Sequence, residues 1–274
     1  MSSEPVWRGM TRSQLDAAYN NSAAVANSAE KIADWRERST SLRARLGQAL
    51  DLRYGDRPRN RIDLFTCGGA GAPLFVFIHG GYWQRNDKEM FSCMAEGPMA
   101  GGFDVALPGY TLAPDISLTE IVEELRDAVR WLRRERPRGV ASGQLIVGGW
   151  SAGGHLAAMA MDLPEVDAGL SISGIFDVEA CRLNYLNDKL RLSAEEAFAM
   201  SPLHHLPQRS GALTIAYGTA ELPELQRQSQ DYWRARDNAH LPGTLLKLAG
   251  HDHFSILEEL ATPDGALVAA LAAL

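Results

Sequence analysis

The chain has 274 residues, 46% hydrophobic and 22% charged, which is enough to bury a sizeable core as one large or two small domains. A formal charge of −7 gives no electrostatic footprint for nucleic acid or for an anionic membrane surface. Three cysteines, Cys67, Cys93 and Cys181, are odd in number, widely spaced and without a C-x-x-C, which argues against a disulfide framework or zinc site and points to buried thiols in a reducing, cytoplasmic setting.

In chain order, "MSSEPVWRGM" lacks the basic and apolar regions of a signal peptide, and no apolar run approaches the ~18 residues of a membrane span. Residues 1–46 read as a polar, helical lead-in, with Trp35 and Leu42 as its candidate contacts. "ALDLRYG" (49–55) and "RIDLFT" (61–66) alternate apolar and polar residues around the turn "DRPRN", as an antiparallel pair at a sheet edge does. "LFVFI" (74–78) is apolar throughout, which suits a strand buried on both faces. Five further strands follow at 104–108, 144–149, 168–173, 213–217 and 244–249.

Helical periods fall between them. Residues 87–100 carry Met90, Met94 and Met99; residues 118–135 show a stripe of Leu118, Ile121, Val122, Leu125, Val129 and Leu132; 223–236 and 264–274 complete the set. An antiparallel start followed by alternating strands and helices predicts one α/β domain spanning 1–274, an eight-stranded, mostly parallel sheet with helices on both faces. The segment 174–212 is longer than a crossover needs and is a candidate cap. "GGAGAP" (68–73) resembles a phosphate loop but precedes a strand instead of following one.

The chemistry centres on "VGGWSAGGHLAAMAM" (147–161). Ser151 lies between a buried strand and a small-residue helix, with Gly149 and Gly153 two places to either side, the G-x-S-x-G nucleophile elbow of the α/β-hydrolase fold. A serine nucleophile needs a histidine base and that base needs a carboxylate; in this fold the chain order is Ser, acid, His. Glu221 is the first carboxylate after the seventh strand. Glu224 follows on the first turn of a helix, where a glutamate favours the helix dipole without any catalytic part, so Glu221 ranks above it. After the eighth strand "GHDHFSI" offers His251 and His253; an H-x-H on a loop without a Cys or His cluster is weak for zinc, so neither metal nor cofactor is expected. The glycine-rich turn in "FIHGGYW" (77–83) and the N–H of Ala152 are candidate donors to the oxyanion.

Taken together, "HGGYW", "DKEMF", "GWSAGGH", "ELPELQRQS" and "HDHFSILE", with the lead-in "LDAAYNNSAAVANSAEKIADWRERS", resemble the kynurenine formamidase (arylformamidase) branch of the α/β-hydrolase fold, near the hormone-sensitive-lipase-like esterases, over nearly the whole chain. The resemblance implies Ser151 as nucleophile, His253 as base and Glu221 as acid, with Gly81, Tyr82 and Ala152 lining the oxyanion hole. Glu221 departs from the aspartate more usual in that family. Such enzymes hydrolyse N-formylkynurenine to kynurenine and formate, while many bacterial relatives act on other small esters or amides. Trp83, with Phe176, Tyr185 and Phe198 of the cap, is a candidate aromatic wall for substrate binding; these rings serve equally as core. The expected partner is a small-molecule substrate, with a homodimer left open; a short-chain carboxylesterase and a non-catalytic ligand-binding module are the alternatives.

Overall fold

A computed structural model describes residues 4–47, 49–137, 140 and 143–274, so the first three residues of the lead-in lie outside the described residues. The lead-in forms three helices, α1 (Arg12–Ala18), α2 (Asn21–Ala24) and α3 (Ser28–Leu46). Thr11 and Gln14 close a capping box on α1, and the Asn20 side chain accepts from the Ala23 N–H to start α2. The single helical stretch expected there is therefore broken by side chains that offer the backbone another partner.

Strands β1 (Leu52–Arg53) and β2 (Arg61–Phe65) pair antiparallel as the alternation predicts. Then come β3 (Leu74–Ile78), a 3₁₀ helix over Glu89–Ala95 running into α4 (Glu96–Ala100), β4 (Asp104–Pro108), α5 (Leu118–Glu135), β5 (Leu145–Trp150) and α6 (Ala152–Met159). The second half holds β6 (Ala168–Ile172), α7 (Glu179–Arg182), α8 (Asn187–Leu190), α9 (Ala194–Ala199), β7 (Ala212–Gly218), α10 (Pro223–Asn238), β8 (Gly243–Leu248), α11 (Glu258–Ala261) and α12 (Ala266–Ala272).

The eight strands form one sheet in the order β1-β2-β4-β3-β5-β6-β7-β8, with β2 antiparallel to both of its neighbours and the rest parallel. Strand alternation divides the core in two. Leu74, Val76 and Ile78 face one layer with the buried stripe of α5, while Phe75 and Phe77 face the other with Trp35, Phe91 and Leu267. Ser117 and Glu120 close a capping box that starts α5, and its Leu118, Ile121, Val122, Leu125, Val129 and Leu132 are all buried. Truncating one such leucine costs about 2–5 kcal/mol. Cys93 and Cys181 are buried and Cys67 is half-buried; all three are free thiols. No helix among the described residues is long and apolar enough to cross a membrane.

Candidate active site

Strand β5 ends at Trp150, and α6 begins at Ala152. Ser151 makes the whole turn alone, with φ 58° and ψ −118°, in the left-handed half of the map that a serine seldom occupies. Its N–H is held by Ile172 O at 2.8 Å. The two flanking glycines are needed by contact. A Cβ on Gly153 would lie 1.9 Å from Ile78 O, and one on Gly149 would lie 2.5 Å from the backbone of Gly153.

The turn after β3 is the second built element. Gly81, Tyr82, Trp83 and Asn86 all have positive φ. A Cβ on Gly81 would meet Arg85 O at 2.3 Å. His79 stacks on Tyr110 at 4.4 Å, and its Nδ1 lies 2.9 Å from Gly80 O, which also accepts from Asn86 Nδ2 at 3.1 Å. Among the described residues, the N–H groups of Gly81, Tyr82 and Ala152 meet no acceptor. The Tyr82 hydroxyl donates to Tyr19 O at 2.6 Å and accepts from Asn21 Nδ2 at 2.9 Å, which fastens the lead-in to this turn.

A carboxylate and an imidazole meet at the ends of β7 and β8. Glu221 Oε2 lies 2.8 Å from His253 Nδ1. Its other oxygen, Oε1, accepts from the Ser173 hydroxyl at 2.6 Å and from the Gly218 N–H at 2.7 Å. Both side chains are buried. The His253 ring also lies 4.9 Å from the Trp150 ring, whose Nε1 donates to His253 O at 2.8 Å. Glu224 instead forms a two-pronged pair with Arg227 and accepts from Trp7 Nε1. His251 sits against Ser255 O and, at 3.3 Å, Glu259.

Ser151 and His253 open onto one cavity of about 470 Å³, counted out to its mouth. Its wall includes Gly81, Tyr82, Trp150 and Phe254 from the sheet ends, and Asn21, Ser22, Ile32 and Trp35 from the lead-in. The cover over the site is therefore the N-terminal helices. No residue of 174–212, the segment expected as a cap, is among the residues that line this cavity. That segment instead packs around α6 and α10: Met200 O lies 2.8 Å from His155 Nε2, and Phe176 stacks on Tyr232. Trp83 and Tyr185, the residues expected to bind substrate, are likewise not among the residues that line it. Trp83 is fully buried with its Nε1 donating to His155 Nδ1 at 3.2 Å, and the Tyr185 hydroxyl donates to Tyr19 O at 3.2 Å.

Sequence reasoning missed Ser173 and the lead-in wall. Ser173 carries no motif, and the polar face of α1–α3 resembles any solvated helix. Among the described residues no cluster of His, Cys, Asp and Glu could hold a metal ion.

The fold, the single-residue turn at Ser151 and the paired Glu221 and His253 define the architecture of an α/β-hydrolase. Known proteins agree. A candidate thioesterase from Silicibacter sp. TM1040 is 31% identical and superposes with a TM-score of 0.84 over 93% of this chain and 98% of its own. The kynurenine formamidase of Danio rerio is 27% identical over 93% of each chain. A hyperthermophilic esterase from Pyrobaculum calidifontis shares the fold at 17% identity and a TM-score of 0.70, over 88% of this chain and 90% of its own. The family profile described as BD-FAE matches residues 63–168. This chain belongs to the α/β-hydrolase superfamily, in its esterase and thioesterase class, and is an enzyme of the serine-hydrolase type.

Proposed function

We propose that the protein cleaves a formyl or other short acyl group from an aryl amide or ester, as an arylformamidase that converts N-formylkynurenine and water to kynurenine and formate. The observation that carries this reading is the shared cavity of Ser151 and His253, with His253 fixed from behind by Glu221 at 2.8 Å.

In this reading Ser151 Oγ attacks the carbonyl carbon while neutral His253 takes its proton at Nε2. Glu221 holds Nδ1–H, so the tautomer that leaves Nε2 free is the stable one, and it balances the imidazolium that forms. The N–H groups of Gly81, Tyr82 and Ala152 receive the oxyanion; they need no reorganisation because they have no partner to leave. His253 returns the proton to the departing amine or alcohol. Water then attacks the formyl-enzyme by the same route and releases formate.

The likeness to the kynurenine formamidases along nearly the whole chain supports the formyl-amide substrate. Steady-state rates on N-formylkynurenine beside p-nitrophenyl esters test it. Turnover of the formamide at a kcat/KM above that of every ester supports the arylformamidase. Ester turnover alone identifies a short-chain carboxylesterase.

A further inference from the structure

The wall of the Ser151 cavity also includes Arg85, on the same turn as Gly81 and Tyr82. Its backbone is held from both sides. The Gln84 N–H donates to Gly81 O at 3.0 Å, Asn86 O accepts from Arg59 Nη2 at 2.6 Å, and Asn86 Nδ2 donates to Gly80 O at 3.1 Å. The Arg85 guanidinium carbon lies 5.9 Å from the centre of the Tyr82 ring, a contact that narrows the positions the fork can take. Among the described residues the side chain has no ion pair and no hydrogen-bond acceptor. Asp87, two positions on, accepts from the Met90 N–H at 2.9 Å instead.

Among the described residues that line the cavity, Arg85 alone bears a permanent charge, although the chain as a whole carries −7. Ser22 and Arg85 are the exposed members of the wall, whereas Ser151 and His253 are each 3% exposed. The guanidinium therefore stands at the mouth and the reacting side chains at the floor. With a formyl or acetyl group at Ser151, the leaving group is the part of the substrate long enough to reach the mouth. A guanidinium fork matches the two oxygens of a carboxylate, and a single fork balances its single charge.

We propose that Arg85 is a specificity-determining residue that holds a carboxylate on the substrate's leaving group at the cavity mouth while Ser151 attacks the short acyl group. The inference rests on the reading of this site as a short-acyl hydrolase. The substrate class is an aryl ester or amide whose aryl part bears an anionic arm.

The test compares the wild type with Arg85→Met and Arg85→Lys on 3-(4-acetoxyphenyl)propanoate and its neutral analogue, 3-(4-acetoxyphenyl)propanamide. Reading each ester against itself across the proteins cancels intrinsic reactivity. In Arg85→Met the anion-to-neutral ratio of kcat/KM is expected to fall about five- to twenty-fold, chiefly through KM, because the pair is only partly shielded from water. Arg85→Lys, which keeps the charge and loses the fork, should retain part of the preference. Equal losses on both esters overturn the proposal, because Arg85 would then act only through the turn it stands on. In the wild type alone, 3-phenylpropanoate should inhibit p-nitrophenyl acetate hydrolysis about five-fold more strongly than 3-phenylpropanamide, with the advantage shrinking as KCl rises from about 0.02 M to about 0.5 M. Equal inhibition overturns the proposal without recourse to a variant. If the wild type hydrolyses neither ester nor p-nitrophenyl acetate, the hydrolase reading falls and takes this inference with it. Hydrolysis without any preference for the anion removes the role of Arg85 alone.

Discussion

The Ser173 hydroxyl donates to Glu221 Oε1 at 2.6 Å from a fully buried, left-handed position (φ 52°) just past β6. Ser173 and the Gly218 N–H occupy one carboxylate oxygen, leaving the other for His253. Glutamate has one more rotatable bond than aspartate, and these two donors fix it. Removing a hydrogen bond to a charged group costs about 1.5–3 kcal/mol. Ser173→Ala should therefore lower kcat roughly ten- to a hundred-fold with little change in KM. The same fall in the Glu221→Ala background would show that Ser173 acts independently of Glu221.

Ser151→Ala should cut turnover by roughly four to six orders of magnitude. It should keep its fold, because the backbone of the turn is set by Gly149 and Gly153. A circular-dichroism melt and a fluorophosphonate label read both points. Retention of a tenth of wild-type activity would exclude a serine nucleophile.

His253→Ala should be nearly as damaging as the loss of Ser151, whereas His251→Ala should be mild. Both lie on one loop, but only His253 shares the cavity with Ser151, and His251 faces Ser255 and Glu259. The two single variants, assayed side by side, decide between them; the reverse ranking would refute the assignment.

Trp35 is fully buried, lines the cavity, and anchors its Nε1 on Glu258 at 2.6 Å beside Trp150 and Phe254. In the wild type, rates on p-nitrophenyl esters should fall beyond about four acyl carbons, since each methylene that finds no pocket forfeits about 0.8 kcal/mol and overpacking costs more. Trp35→Ala should destabilise the protein by about 3–5 kcal/mol and move the chain-length optimum upward. A denaturant midpoint and a C2–C12 ester series measure the two effects. A wild-type optimum at octanoate or longer would rule out the closed wall.

Stability should fall as the pH drops from the ordinary imidazole range toward 4. Burial lowers both His79 and His155 to about 4. His155 accepts from Trp83 at Nδ1, which leaves Nε2–H to donate to Met200 O, so its neutral tautomer is fully paired and a proton would break it. A histidine lowered in the folded state takes its proton first when unfolded. The unfolded chain thus binds more protons between about 4 and 6.5, and stability rises with pH across that window. Each site contributes on the order of 3 kcal/mol. Urea midpoints at pH 7 and pH 4.5 check the slope; a midpoint independent of pH would contradict it. His79→Phe, which keeps the stack on Tyr110, should remove part of the dependence.

Alternation and period made the sheet legible in the amino-acid sequence. Both are consequences of burial on a pleat or a helix face, which each residue reports locally. The elbow was equally legible, because a turn of one residue at positive φ imposes glycines at Gly149 and Gly153 by contact within a few positions. Chain order then narrowed the paired carboxylate and imidazole to Glu221 and to the loop of His251 and His253. What covers the cavity was decided only in three dimensions. Whether α1–α3 or the segment 174–212 crosses the strand ends depends on long-range partners, such as Tyr82 to Tyr19 and Trp35 to Glu258, that leave no local period. The same holds for the direction of Trp83, which a positive φ (59°) accompanies as it enters the core toward His155. Ser173 could not be read at all in one dimension: it lies 48 positions from Glu221, and only the parallel pairing of β6 with β7 brings the two together.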